Sequence, residues 1–192
     1  MGEYNMHKEI ISRIIESADA KYLMLNQAEM IAKIADKVIS ALKKGHKVVL
    51  FGNGGSASDS QHLAAEIVGC FTRRTRRPLP AIALTTNTSN LTAIGNDYGF
   101  ENVFSRQVEA LVNRGDVVLA FSTSGNSINV IKGVQAARKK GAYTIGFTGR
   151  KKNKLKASVD LCFCAPVDTS DRIQECHITA GHIICEMIDK EF

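Results

Sequence analysis

His62 and Glu66 stand four residues apart in a stretch, about 57–71, that reads as a helix. That spacing puts both on one face, tilted toward the helix start. An imidazole and a carboxylate so placed are two metal ligands, a base with its orienting partner, or a surface pair. Taken alone, the surface pair is the commonest. A second polar set lies near the C-terminus: Gln174, Glu175, His177 and His182. On a helix, Gln174 and His182 are separated by about 12 Å along the axis and about 80° around it. Aiming both at one small ion is strained within a single helix. Either long side chains converge or the two serve from different subunits. Each histidine alone is as readily a core or surface residue. His7 and His46, in a tail and a polar turn, are assigned no role.

Two loops supply further chemistry. Gly52-Asn53-Gly54-Gly55-Ser56-Ala57 follows a short apolar run and fits the pattern G-x-G-x-x-A. That match alone is weak. The acidic ribose partner is missing, because the next strand-like run ends Leu84-Thr85-Thr86-Asn87, so NAD binding is rejected. What remains is a glycine turn that lets a ligand approach the backbone at a helix start. Ser56 and Asp59 are spaced for a capping box there. The second loop, Ser122-Thr123-Ser124-Gly125-Asn126-Ser127, runs straight into a helical pattern. Hydroxyl donors beside a helix N-terminus suit a phosphate monoester. One serine is an ordinary cap; four hydroxyls together favour phosphate.

The elements that must hold these residues alternate. Apolar runs at 47–51, 81–85, 116–121, 143–147 and 161–165 are separated by helical patterns at about 57–71, 100–112, 127–140 and a short one near 154. A long helix is expected over 170–190. Strands apolar on both faces argue a parallel sheet covered by helices. In such sheets ligands bind beyond the strands' carboxyl ends, where both loops fall. Before this core, Ile10, Ile11, Ile14, Ile15, Tyr22 and Leu25, then Ile31, Ile34, Val38, Ile39 and Leu42, recur at helical steps. The expectation is one domain: helices over 1–45 for packing or oligomerisation, and an α/β core over 46–192.

Composition narrows the class. Lys and Arg total 25 and Asp and Glu 19, a formal charge of +6, with 44% apolar residues, which excludes a disordered chain. No run is apolar enough to span a membrane, and Met1–Lys8 lacks the plan of a secretory leader. The five cysteines, Cys70, Cys162, Cys164, Cys176 and Cys185, then read as reduced, mostly buried thiols in a cytoplasmic protein. A zinc site on Cys162 and Cys164 is not expected. The basic groups Arg73, Arg74, Arg76 and Arg77, and Arg150, Lys151, Lys152, Lys154 and Lys156, read as solvated loop charge or as an attractor of anionic substrate. Without interleaved aromatics they do not read as a nucleic-acid surface.

Four motifs in order, Gly52–Ser56, Gly95-Asn96-Asp97-Tyr98-Gly99-Phe100, Ser122–Ser127 and Arg172-Ile173-Gln174-Glu175, resemble the sugar isomerase (SIS) fold, and within it the bacterial phosphoheptose isomerases. The resemblance covers nearly the whole chain. It implies a three-layer α/β/α fold, flavodoxin-like or Rossmann-like, with a five-stranded parallel sheet and an N-terminal helical extension. It implies conversion of D-sedoheptulose 7-phosphate to D-glycero-D-manno-heptose 7-phosphate through an enediol, the first step toward nucleotide-activated heptose for lipopolysaccharide or capsule. It implies a homotetramer with sites at subunit interfaces and one Zn²⁺ per subunit, held by His62, Glu66, Gln174 and His182. Phosphate would be held by Ser122, Thr123, Ser124 and Ser127. The sugar would meet Asn53, Gly54, Gly55, Ser56, Glu66, Asn96, Asp97, Asp171 and Gln174. Glu66 would be the base and His182 the acid, or either would serve the metal. The alternatives are an isomerase of another phosphosugar, or a non-catalytic SIS protein binding a partner such as a replication initiator. That non-catalytic relative is altered at the positions of Glu66 and His182, which are intact here. Three departures stand out: Cys70 where the family usually has Arg, Asn87 where it often has Asp, and Arg150–Lys154 where glycines are common.

Overall fold

The computed structural model describes residues 5–192; Met1–Tyr4, which open the stretch read as no leader, lie outside them. Two helices come first, α1 (Met6–Leu23) and α2 (Ala28–Lys43), joined by a 3₁₀ turn at Met24–Gln27. The core then alternates: β1 (Val48–Gly52), α3 (Gly55–Val68), β2 (Ala81–Ala83), α4 (Thr88–Tyr98), α5 (Val103–Leu111), β3 (Val117–Phe121), α6 (Ile128–Lys139), β4 (Tyr143–Gly149), β5 (Leu161–Ala165) and α7 (Ser170–Glu191).

All five strands are parallel, in the order β2-β1-β3-β4-β5. Alternation within each strand feeds two cores. Val48 and Leu50 of β1 join Val117, Leu119 and Phe121 of β3 under α2, α3 and α7. Val49, Phe51, Val118 and Ala120 face the other way, under α5 and α6. This is the three-layer arrangement expected from strands apolar on both faces. The chain leaves β1 to one side for β2 and returns to the other for β3. That reversal opens a crevice between the ends of β1 and β3, where the glycine loop and the serine loop stand.

Four local expectations are corrected. The segment near 154 is not a helix but turns over 154–158, whose Leu155 is fully buried. A helix not foreseen, α4, forms over Thr88–Tyr98. Its opening Thr, Ser and Asn residues are weak helix formers, it buries none of its residues fully, and the Asn87 side chain starts it by accepting the Asn90 N–H at 3.0 Å. The capping box of Ser56 and Asp59 does not form. Gly54 is the cap residue, at φ +56°, and Ser56 lies inside α3 with its carbonyl accepting from Ser60 Oγ at 2.7 Å. Arg76 is not solvated: its guanidinium is buried against Asp189 at 2.6 Å.

The N-terminal helices divide in role. α2 buries Ile31, Ile34, Val38, Ile39 and Leu42 against the core, as its stripe requires. α1 buries only Ala20, and its Ile10, Ile11, Ile14 and Ile15 remain exposed in the single chain.

Candidate active site

α3 and α7 pack side by side, and this brings three of the expected site residues together. His62 Nε2 lies 3.1 Å from Glu66 Oε1, one helical turn away, and 3.4 Å from His182 Nε2 on α7. The two imidazoles meet edge to face at 4.9 Å, and Phe71 stacks on the far side of His182 at 5.1 Å. Burial holds the His182 pKa below the usual range, with His62 acting in the same direction against the opposing pull of Glu66. Gln174, two turns earlier on α7, does not reach this group. Its amide covers the start of α3, so that a Cβ at Gly55 would sit 2.6 Å from Gln174 Nε2. A side chain at position 55 would have to displace that amide.

Among the described residues, no three or more His, Cys, Asp or Glu side chains are grouped to hold a metal ion. The pairwise spacings around His62 nevertheless suit one. Donors on a tetrahedral ion with bonds of about 2.0–2.1 Å are roughly 3.3 Å apart. The 3.1 and 3.4 Å separations bracket that edge.

The serine loop builds a different feature. Thr123 and Ser124 line a cavity of about 340 Å³, and Ile173 and Ser170 of α7 form another wall. Ser122 and Ser127 face each other instead, Oγ to Oγ at 3.0 Å, and brace the loop. Ser124 Oγ accepts the Asn126 N–H at 3.2 Å. Gly125, at φ +64°, makes the turn, and a Cβ there would collide with Asn153. Arg150, Lys151 and Lys152 close the cavity from the loop after β4. Arg150 is paired with Asp168, and Lys151 lies 3.9 Å from the same carboxylate. Across the crevice, Asn53 exchanges two 2.9 Å hydrogen bonds with Asn129 at the head of α6, locking the glycine loop to the serine loop.

The remaining expected residues stand elsewhere. Asn96 and Asp97 are exposed at the end of α4, hydrogen-bonded to each other at 2.8 Å, and Asp97 faces a groove between α4 and α5. Asp171 is exposed and pairs with Arg172 at 3.1 Å. His177 is a core residue, fully buried among Phe121, Phe147 and Phe163, and burial pushes it down to about 4.

Sequence reasoning missed three residues around the cluster. Asp59, on α3 before His62, has a buried carboxylate oxygen with no partner among the described residues, and burial pushes it up to about 6. Arg76 donates from Nη2 to the carbonyl of Glu66 at 2.8 Å. Asp189 accepts Arg76 Nε and the N–H groups of Phe71, Thr72 and Arg73. The Arg76–Asp189 pair thus sits behind both Glu66 and the Phe71–His182 stack. Its partners are far apart in the chain, so spacing carried no signal.

A carboxylate and two imidazoles flank one helix pair, and a hydroxyl-lined cavity with basic walls lies further along it. Groups able to titrate thus stand apart from a cavity able to take an anion. Comparison with known proteins agrees. The SIS domain model matches residues 15–149. The phosphoheptose isomerase of Aquifex aeolicus (strain VF5) is 54% identical over 176 residues, 91% of this chain and 92% of that one. The structure of phosphoheptose isomerase GmhA from Neisseria gonorrhoeae superposes with a TM-score of 0.91 at 42% identity, covering 97% of this chain and 100% of that chain. That of a phosphoheptose isomerase from Francisella tularensis gives 0.93 at 34%, with the same coverage. By fold and by about 50% identity over nearly its whole length, the chain belongs to the phosphoheptose isomerases of the SIS domain family.

Proposed function

We propose that the protein interconverts D-sedoheptulose 7-phosphate and D-glycero-D-manno-heptose 7-phosphate. The observation that carries this reading is the separation of the two features along α7. An open-chain ketose phosphate has its phosphate at one end and its carbonyl at the other. Ser170 and Ile173 belong to the serine cavity, while His182, nine residues on and about 13 Å further along the helix, belongs to the proton-transfer cluster.

Isomerisation moves one proton between adjacent carbons through an enediol. It needs a base at C1 and C2 and an acid serving O1 and O2. Glu66 is assigned as base: it is half-buried, carboxylate in type, and held in place by His62. His182 is assigned as acid, oriented by the Phe71 stack. Thr123 and Ser124 donate to the phosphate, and Arg150, Lys151 and Lys152 add positive potential to the cavity wall. His62, Glu66, His182 and Gln174 would be the donors for a resident Zn²⁺. Bound there, the ion would supply Lewis acidity toward the carbonyl and enediolate oxygens. The proton itself is carried by Glu66 and His182.

The uncovered apolar face of α1, with exposed Leu25 beside it, supports association with further copies of the chain, which the family reading makes a tetramer. Ile14→Glu is expected to shift sedimentation to a smaller species; an unchanged sedimentation coefficient overturns that assignment of the face.

NMR of sedoheptulose 7-phosphate incubated with the protein, with and without EDTA and added Zn²⁺, tests the function. Signals of an aldoheptose phosphate are expected, weakened by EDTA and restored by Zn²⁺. Absence of conversion in every condition overturns the reading. The cradle has its own check: Ser124→Ala is expected to raise KM with little change in kcat, the signature of binding shared by ground and transition state. An unchanged KM rules against Ser124 as a phosphate donor.

A further inference from the structure

We infer that Cys162 and Cys164 form an oxidisable dithiol on the edge of the sheet, a modification site for low-molecular-weight disulfides, distinct from the isomerase chemistry. The two stand on β5, the edge strand, and alternation sends Phe163 and Ala165 into the core while both cysteines take the opposite face. Both thiols stay half-buried there, with their sulfurs 3.8 Å apart. The turn after β4 covers this face: a Cβ at Gly146 would lie 3.2 Å from Leu155 and Val159 and 3.4 Å from Cys162 Sγ.

The other cysteines differ. Cys176 and Cys185 are buried, and burial pushes their thiols up to about 11 and about 12. Cys70 stands in a loop, and among the described residues no second thiol pairs with it. Within the pair, the sulfur–sulfur hydrogen bond lowers the Cys164 thiol against the effect of burial, and the Lys156 ammonium acts in the same direction. Cys162 moves the opposite way and remains the protonated partner. One thiolate beside one thiol is the composition an exchange reaction needs.

The step balances as follows. The Cys164 thiolate attacks one sulfur of glutathione disulfide, the disulfide bond breaks, and one glutathione thiolate leaves and takes a proton. Cys162 then loses its proton, attacks Cys164 Sγ, and displaces the second glutathione. Two protein thiols are oxidised by two electrons, and one disulfide is reduced to two thiols. Residues two apart on a strand have Cα atoms about 6.6 Å apart, near the upper limit of about 6.8 Å for a disulfide. Their parallel Cβ atoms exceed the roughly 3.5–4.5 Å that a relaxed disulfide spans, so closing the bond bends this edge strand. The bond formed is therefore labile and easily reversed.

The covering turn also touches the serine loop. Leu155 donates its N–H to the Gly125 carbonyl at 2.9 Å, Lys154 donates to Asn126 Oδ1 at 3.2 Å, and Lys156 donates to Asn153 Oδ1 at 2.9 Å. Leu155 and Cys162 both lie against Gly146, so drawing the two sulfurs together shifts the face under the turn, and these bonds pass the change to the loop. This link, unlike the thiol chemistry, rests on reading the loop as a phosphate cradle.

Glutathione disulfide added to the reduced protein near neutral pH, followed by intact-mass and peptide mass spectrometry, tests the pair. A transient glutathione adduct on Cys164 is expected, then a loss of two hydrogen masses within the Cys162–Cys164 peptide, reversed by dithiothreitol. Cys162→Ser is expected to stop at the adduct, and Cys164→Ser to remove the fast reaction. First modification at Cys70, or an adduct on Cys164 in the unaltered chain that never resolves, overturns the proposal. Inorganic phosphate is the probe for the link, with affinity expected to fall roughly threefold or more on oxidation. Equal affinity in the two states overturns the link. Failure of the reduced protein to bind phosphate counts against the cradle instead, and leaves the mass readout to judge the thiols.

Discussion

Glu66→Gln will fold normally and lose turnover by at least about 100-fold, the low end of what a positioned general base contributes. The substitution is nearly isosteric. The amide oxygen keeps an acceptor 3.1 Å from His62 Nε2, and the Glu66 carbonyl that receives Arg76 Nη2 is backbone and unaffected. What disappears is the basic oxygen. A thermal melt close to that of the unaltered protein, with kcat reduced and KM for the phosphosugar little changed, assigns Glu66 to the proton rather than to binding. Metal content measured on the same samples separates its two proposed duties. Retained metal with lost turnover isolates the base; lost metal with lost turnover makes coordination the first duty. A variant that turns over at near the normal rate ends the assignment of Glu66 as base.

The sheet, and the place of the serine loop at the end of a strand, were legible because their signals are local. Val48–Phe51 and Val117–Phe121 are apolar at successive positions, which only a strand covered on both faces tolerates. The crowded hydroxyls of Ser122–Ser127 have few other uses. The His62–Glu66 pair was legible as a pair, since helical spacing fixes it; its convergence with His182 was not, because that depends on how α3 meets α7. α4 was missed because its opening residues are weak helix formers and its apolar stripe, Leu91 and Ile94, is short and only partly buried. Arg76 was misread for a related reason. A cluster of arginines looks like surface charge until the fold delivers Asp189, whose burial and ion pair no spacing rule reports. Asn96 and Asp97 were chosen by motif alone; within one chain they bond to each other at the end of α4, and Asp97 faces a groove between α4 and α5.

The largest effect on stability is expected at Asp189. Its carboxylate is almost fully buried, pairs with Arg76 at 2.6 Å, and accepts the Phe71, Thr72 and Arg73 N–H groups at 3.2, 2.6 and 2.9 Å. Asp189→Asn leaves the Arg76 charge buried without its counter-ion. Breaking a buried pair from one side costs about 3–5 kcal/mol, visible as a lowered denaturation midpoint at neutral pH. Burial raises the Asp189 pKa, but the Arg73 and Thr72 N–H groups together with Arg76 outweigh it, and the net shift is downward. A carboxyl depressed in the folded state stabilises the protein above its unfolded pKa of about 3.9 and loses that contribution as pH falls through the folded value. The gap between the unaltered protein and Asp189→Asn is therefore expected to be full at pH 7 and to narrow in strong acid. Activity should follow, since the loop this carboxylate pins carries the Phe71 ring stacked on His182, and its partner Arg76 holds the backbone of Glu66. A midpoint unchanged at pH 7 would show that the carboxylate does not stabilise the loop, and the proposed acid and base would then need another anchor.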